Sequence, residues 1–250
     1  MTATPTTTIQ PSDKLGDLVN THPQLTPTLD RMQLDYCCGG HRSLGEACGT
    51  AGLDIGATIE TLEAVAAESP AVPSSLQDLA QAPPSAVADH IEQTHHAYLR
   101  DELPRLSELA ERVRDVHGKR HPELIDVNDC FALLRADLEP HLDREEQILF
   151  PLVREIEAAL RSGTSANGEL ENPVSTLEDD HDQVGALLTR LRDLTNDFTA
   201  PDDGCASYRA LYDGLHRLTD DTHLHVHKEN NILFPAAVER ERQLREQLSA

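Results

Sequence analysis

The chain has 250 residues, 21 basic against 44 acidic, for a formal charge of −23. That length allows one or two domains, and the acidic balance excludes nucleic acid and anionic membrane surfaces as partners, since both need a basic face. No apolar run reaches the length of a membrane span.

The first residues, MTATPTTTIQ, have neither a basic nor an apolar stretch of the kind a secretory signal needs, so a cytoplasmic location is expected. Trp is absent and aromatics make up 3 %, which leaves an aliphatic core rich in helix formers. The fold class read from this is all-α. Five Cys, scattered apart from Cys37–Cys38, do not form a disulfide framework.

Residues 1–11 are Thr/Pro-rich and expected to be disordered. Residues 12–67 read as a small N-terminal domain of short helices separated by Pro and Gly, among them Lys14–Asn20, Pro27–Met32 and Ile55–Ala67. This domain carries Asp35-Tyr36-Cys37-Cys38-Gly39-Gly40. A disulfide between adjacent Cys closes a strained, easily reduced ring, so Cys37 and Cys38 are candidates for redox chemistry, metal hand-off or nitrosation. The rival is two ordinary thiols at a turn. Pro70, Pro73, Pro83 and Pro84 mark residues 68–84 as a linker with little regular structure.

Residues 85–248 hold four long amphipathic patterns. The first carries His96, Leu99, Leu103, Leu106, Ala110 and Val113. The second carries Phe131, Leu134, Leu138, His141, Glu145, Ile148 and Leu152. The third carries Val174, Leu177, His181, Val184, Leu188, Leu191 and Phe198. The fourth carries Leu211, Leu215, Leu218, Thr222, His225, Glu229 and Ile232. Steps of 3 and 4 give a core-facing stripe on each helix. Asn172-Pro173 reads as the N-cap and first residue of the third helix. Breaks at Gly163–Gly168 and Pro201–Gly204 are short, which favours an up-down-up-down four-helix bundle.

The bundle region states one pattern twice. His141-Leu-Asp-Arg-Glu-Glu-Gln-Ile-Leu-Phe-Pro returns as His225-Val-His-Lys-Glu-Asn-Asn-Ile-Leu-Phe-Pro, 225 − 141 = 84 residues later. His96 and His181 repeat at nearly the same offset. His96, His141, Glu145, His181, His225 and Glu229 all fall on apolar stripes, where an unpaired carboxylate costs several kcal/mol to bury. His and Glu four apart sit about 40° apart around a helix, so both aim at one place. Four imidazoles and two carboxylates form a ligand set for two metal ions, and nitrogen and oxygen donors without thiolate suit Fe, Mn or Zn. Asp137 and Asp180 are candidates to orient ligands or to belong to a solvated acidic face. His22, His41, His95, His117, His121, His223 and His227 read as ordinary, Cys48, Cys130 and Cys205 as structural, and Ile-Leu-Phe-Pro as core followed by a proline kink at Pro151 and Pro235.

Asp-Tyr-Cys-Cys-Gly-Gly at 35–40, a linker, and the Glu-Asn-Asn-Ile-Leu-Phe-Pro run together resemble the repair-of-iron-centres family, the YtfE/ScdA type, over residues 12 to 240. The resemblance implies a hemerythrin-like bundle with a non-haem centre of two Fe ions. It implies His96, His141, His181 and His225 as terminal ligands and Glu145 and Glu229 as bridges. It further implies a homodimer that restores iron–sulfur proteins damaged by oxidative or nitrosative stress. Two other readings of the same site are a nitric oxide or peroxide reductase and an oxygen or redox sensor. Oxygen-carrying hemerythrins use five His, and no fifth lies on these stripes, which favours a donor of iron.

Overall fold

A computed structural model describes residues 8–68, 75–166 and 168–249. Among these residues there is helix and turn, with one isolated antiparallel bridge between Lys14 and Ser43. The chain divides into two units, Met1–Val87 with Val226–Ala236, and Ala88–His225 with Ala237–Ala250.

In the first unit, helices α1 (Leu15–Thr21), α2 (Thr26–Arg31), α3 (Leu44–Ala51), α4 (Ile55–Glu68) and α5 (Ser75–Ala80) pack on one another and on Glu229–Leu233. Ser43 caps α3 through a reciprocal pair with Glu46, and Gly52 closes the helix at φ 70. Two sequence expectations change here. Part of the presumed disordered start is ordered: Ile9 is buried and its N–H donates to Glu63. Residues 1–7 lie outside the described residues. The presumed linker contains α5, because Ser75–Ala80 has no proline and buries Leu76 against α1. Residues 69–74 lie outside the described residues.

The second unit holds most of the four-helix bundle; the stretch Val226–Ala236 of the fourth helix is counted with the first unit. The bundle helices are α6 (Pro84–Ile91) running into α7 (Ala97–His117), α8 (Glu123–Arg144) into α9 (Phe150–Ser162), α10 (Glu171–Leu194), and α11 (Ala206–Lys228) into α12 (Phe234–Ser249). Aliphatic side chains from all four, such as Leu103, Leu134, Leu188 and Leu215, are fully or almost fully buried in one core. α10 starts at Glu171, so Asn172 is not its cap. Pro173 fits in the first turn, where its missing N–H costs nothing. α10 ends at Leu194 rather than running to Phe198. Asn196, Asp197 and Phe198 follow with positive φ, and the Phe198 ring stacks on His216 instead of extending the stripe.

The sequence left one backbone feature unread. Glu92–His96, Glu145–Leu149 and Glu229–Leu233 are single π turns, in which Ala97, Phe150 and Phe234 each donate to the carbonyl five residues back. Pro151 and Pro235 explain two of them. A proline clashes with the carbonyl four residues before it, and the wider π turn just ahead relieves that clash. The inserted residue rotates the stripe by one position. The core of the second pattern therefore continues at Leu149, Phe150 and Val153, while Ile148, expected inside, is 55 % exposed.

Candidate metal centre

Each π turn begins or ends at a proposed ligand: His96 ends one, and Glu145 and Glu229 each begin one. The chain thereby re-aims one residue per helix without breaking the helix, a device common at functional sites. All six candidate ligands are at most 1 % exposed.

Their donor atoms fall into two groups. His96, Glu145, His225 and Glu229 form one, and His141, Glu145, His181 and Glu229 the other, with the atoms of each group within 4.8 Å of one another. Both carboxylates belong to both groups, and neither group contains a fifth His. The His96 and His225 Nε2 atoms are 3.2 Å apart, as are those of His181 and His141. His96 Nε2 and His141 Nε2 each lie 3.3 Å from the same Glu145 oxygen. Two nitrogens bound side by side to one ion at about 2.1 Å stand roughly 3 Å apart, so the spacing and the donor types fit a divalent first-row cation in each group.

Two further carboxylates orient the imidazoles. His96 Nδ1 lies 2.9 Å from Glu146 and His141 Nδ1 lies 3.4 Å from Asp180. Each pairing places the ring proton on Nδ1 and turns the Nε2 lone pair toward the centre. The bond to His141, then the charge of Arg144, hold the Asp180 carboxyl below its ordinary range. Arg100 in turn binds Glu146 and Asp143. Asp180 was among the expected candidates. Asp137 is exposed on α8. Glu146 was missed, although its place directly after a candidate ligand was a usable signal.

Two residues set aside as ordinary, His95 and His227, have defined partners. His95 pairs with Asp221 at 2.9 Å and stacks on His225 with 5.4 Å between ring centres. His227 is fully buried, with Nδ1 3.2 Å from the Tyr36 carbonyl and Nε2 2.9 Å from Asn20 Oδ1. Burial pushes its pKa down to about 4, so it is a neutral hydrogen-bonding group. Cys205 is exposed rather than packed, and His117, read as ordinary, is the buried last residue of α7.

Cys37 and Cys38 lie in the first unit, on a loop organised by Asp35. The Asp35 carboxylate accepts the N–H groups of Cys37, Cys38 and Gly39 at 3.1, 2.9 and 2.9 Å. The Cys37 thiol is pushed well up by its hydrogen bond to Cys38, then by burial and the Asp35 charge, so it rests protonated. Asn231 donates to the carbonyls of Tyr36 and Cys37 at 3.3 and 3.0 Å. A Cβ on Gly16 or Gly40 would collide with the Asn231 side chain, which explains glycine at both places.

Residues 87–237 match the hemerythrin HHE cation binding domain, and residues 11–66 match a domain of unknown function. The chain is 38 % identical over 224 residues to the iron-sulfur cluster repair protein YtfE of Dickeya chrysanthemi, covering 90 % of this chain and 96 % of that protein. It is 34 % identical over the same shares to the protein of that name from Escherichia coli O157:H7.

Proposed function

The chain belongs to the family of iron–sulfur cluster repair proteins that these relatives represent, and from that premise we propose that it repairs damaged iron–sulfur clusters with iron held at the bundle centre. The observation that supports this most is the pair of buried His/Glu groups that share both carboxylates. His96 and His225 would hold one iron ion and His141 and His181 the other, with Glu145 and Glu229 common to both. Bound there, two irons supply redox chemistry and a transferable metal.

The protein's own side chains set how firmly iron is held. Glu146 and Asp180 keep His96 and His141 in the ligating tautomer. Fe(II) binds such nitrogen and oxygen sites more weakly than Cu(II) or Zn does, and a four-imidazole set grips less than a five-imidazole one. Release to a client is therefore the favoured chemistry. In the same proposal residues 12–67 and 85–248 act as domains joined by 68–84, the protein is a cytoplasmic homodimer, and its clients are damaged iron–sulfur proteins.

Isotopically labelled iron tests the donor step. Reduced, labelled protein mixed with a cluster-depleted dehydratase should restore activity while the label passes to the client in proportion. Activity that returns while the label stays in the bundle would overturn donation and favour a redox or nitric-oxide-removing role.

A further inference from the structure

The bundle unit carries a second reactive group far from the six ligands. His117, the last residue of α7, is 21 positions beyond His96, about 30 Å along a helix. Its Nε2 lies 3.1 Å from the Sγ of Cys205, the residue before α11. The imidazole is 8 % exposed while Cys205 is open to solvent. The ring is fixed from the side by Tyr208, edge to face at 5.5 Å, and Tyr208 is itself fully buried.

The two partners occupy the two helix ends that favour their charged forms. A cation is stabilised at a helix C-terminus, where His117 sits, and an anion at a helix N-terminus, where Cys205 sits. The backbone of Tyr208, then the backbone and side chain of Ser207, hold the Cys205 thiol below its ordinary range.

We propose that Cys205, with His117 as its proton partner at 3.1 Å, captures hydroperoxides, a modification site separate from the metal centre. As the thiol proton passes to His117 Nε2, the Cys205 sulfur attacks one peroxide oxygen, an S–O bond forms, and the O–O bond breaks. Sulfur loses two electrons and the peroxide gains them. The leaving hydroxide or alkoxide takes the proton of the His117 imidazolium, so Cys205 becomes a sulfenic acid and the other product is water or an alcohol. Cys130, the other thiol of this unit, is fully buried, so the sulfenic acid has no exposed thiol within the unit to condense with.

The other ionisable groups at this end are His121, held by Glu123 and Asp203, Arg120, held by Asp203, and the neighbouring Asp202 and Tyr208. The test is site-resolved alkylation of the full-length chain by iodoacetamide across pH, read by peptide mass spectrometry. Cys205 should react with a midpoint below the value of about 8.5 of an ordinary thiol, and at pH 7 about tenfold faster than the same peptide unfolded in urea. His117→Asn should raise the midpoint while helicity is kept. If that variant does not fold, the wild-type profile decides alone, and a midpoint in the ordinary thiol range overturns the pair. Hydrogen peroxide with dimedone should then label Cys205 in the wild type. Fast alkylation without a dimedone adduct would overturn the hydroperoxide assignment.

Discussion

The two copies of the His-x-x-x-Glu segment have the same local structure and different surroundings. In both, the glutamate is fully buried, opens a π turn and precedes Ile-Leu-Phe-Pro. Yet Ile148 in the first copy is 55 % exposed, while its counterpart Ile232 is 5 % exposed. The difference lies in the residues the copies do not share. The first copy has Asp143, Glu146 and Gln147, which serve Arg100, His96 and solvent. The second has His227, Asn230 and Asn231 at the matching places, and all three bond to the N-terminal segment of their own unit. The repeated residues build the ligand geometry. The diverged ones decide how far it is covered: the second copy bonds to the N-terminal segment of its own unit, and the first leaves Ile148 open.

The largest effect should come where the copies are equivalent. Glu145→Gln and Glu229→Gln each remove an oxygen donor from both groups, so each should lose at least half of the bound iron by metal analysis. Full retention in either variant would show that its carboxylate does not bridge, and a large loss in only one would break the equivalence of the copies.

Stability should divide the copies next. Ile232→Ala removes a buried side chain and should cost about 2–4 kcal/mol in urea unfolding, in line with other large-to-small core changes. A cost under about 1 kcal/mol, the level of a surface substitution, would mean that the N-terminal segment does not cover this copy in solution.

These contrasts show what was readable in the sequence. The four stripes, the six donors and their repeat were legible because helix periodicity and His/Glu spacing are local codes. The π turns were not, since they shift the register by one residue, and the only trace was a proline six positions after Glu145 and Glu229, with none after Glu92. The role of His227 could not be read either. Its partners, Asn20 and the Tyr36 carbonyl, lie about two hundred positions away, and nothing local distinguishes it from an exposed His. Cys205 and His117 were hidden for the same reason, being 88 residues apart.

A smaller separation is expected at the polar pair. Asn231→Ala removes two hydrogen bonds to the Tyr36 and Cys37 carbonyls and should cost about 1–3 kcal/mol, because those part-buried acceptors lose their donor. Gln147→Ala, at the matching exposed position, should stay within about 0.5 kcal/mol. Equal costs would remove the distinction between the copies.

The smallest effect is the most exacting test of the first copy. Ile148 is an exposed isoleucine beside a cavity of about 230 Å³ lined by Arg144, Leu149, Asn172, Pro173, Thr176 and Leu177. Most of its surface already faces water, so Ile148→Ser should change unfolding stability by no more than about 0.5 kcal/mol. The measurement belongs at two protein concentrations at least tenfold apart. A small cost at both leaves the first copy uncovered, as its polar neighbours indicate. A cost above about 1 kcal/mol that grows with concentration would show that a second copy of the chain covers Ile148, because only an association equilibrium makes stability depend on protomer concentration. The asymmetry between the two segments would then belong to the single chain and disappear in the dimer.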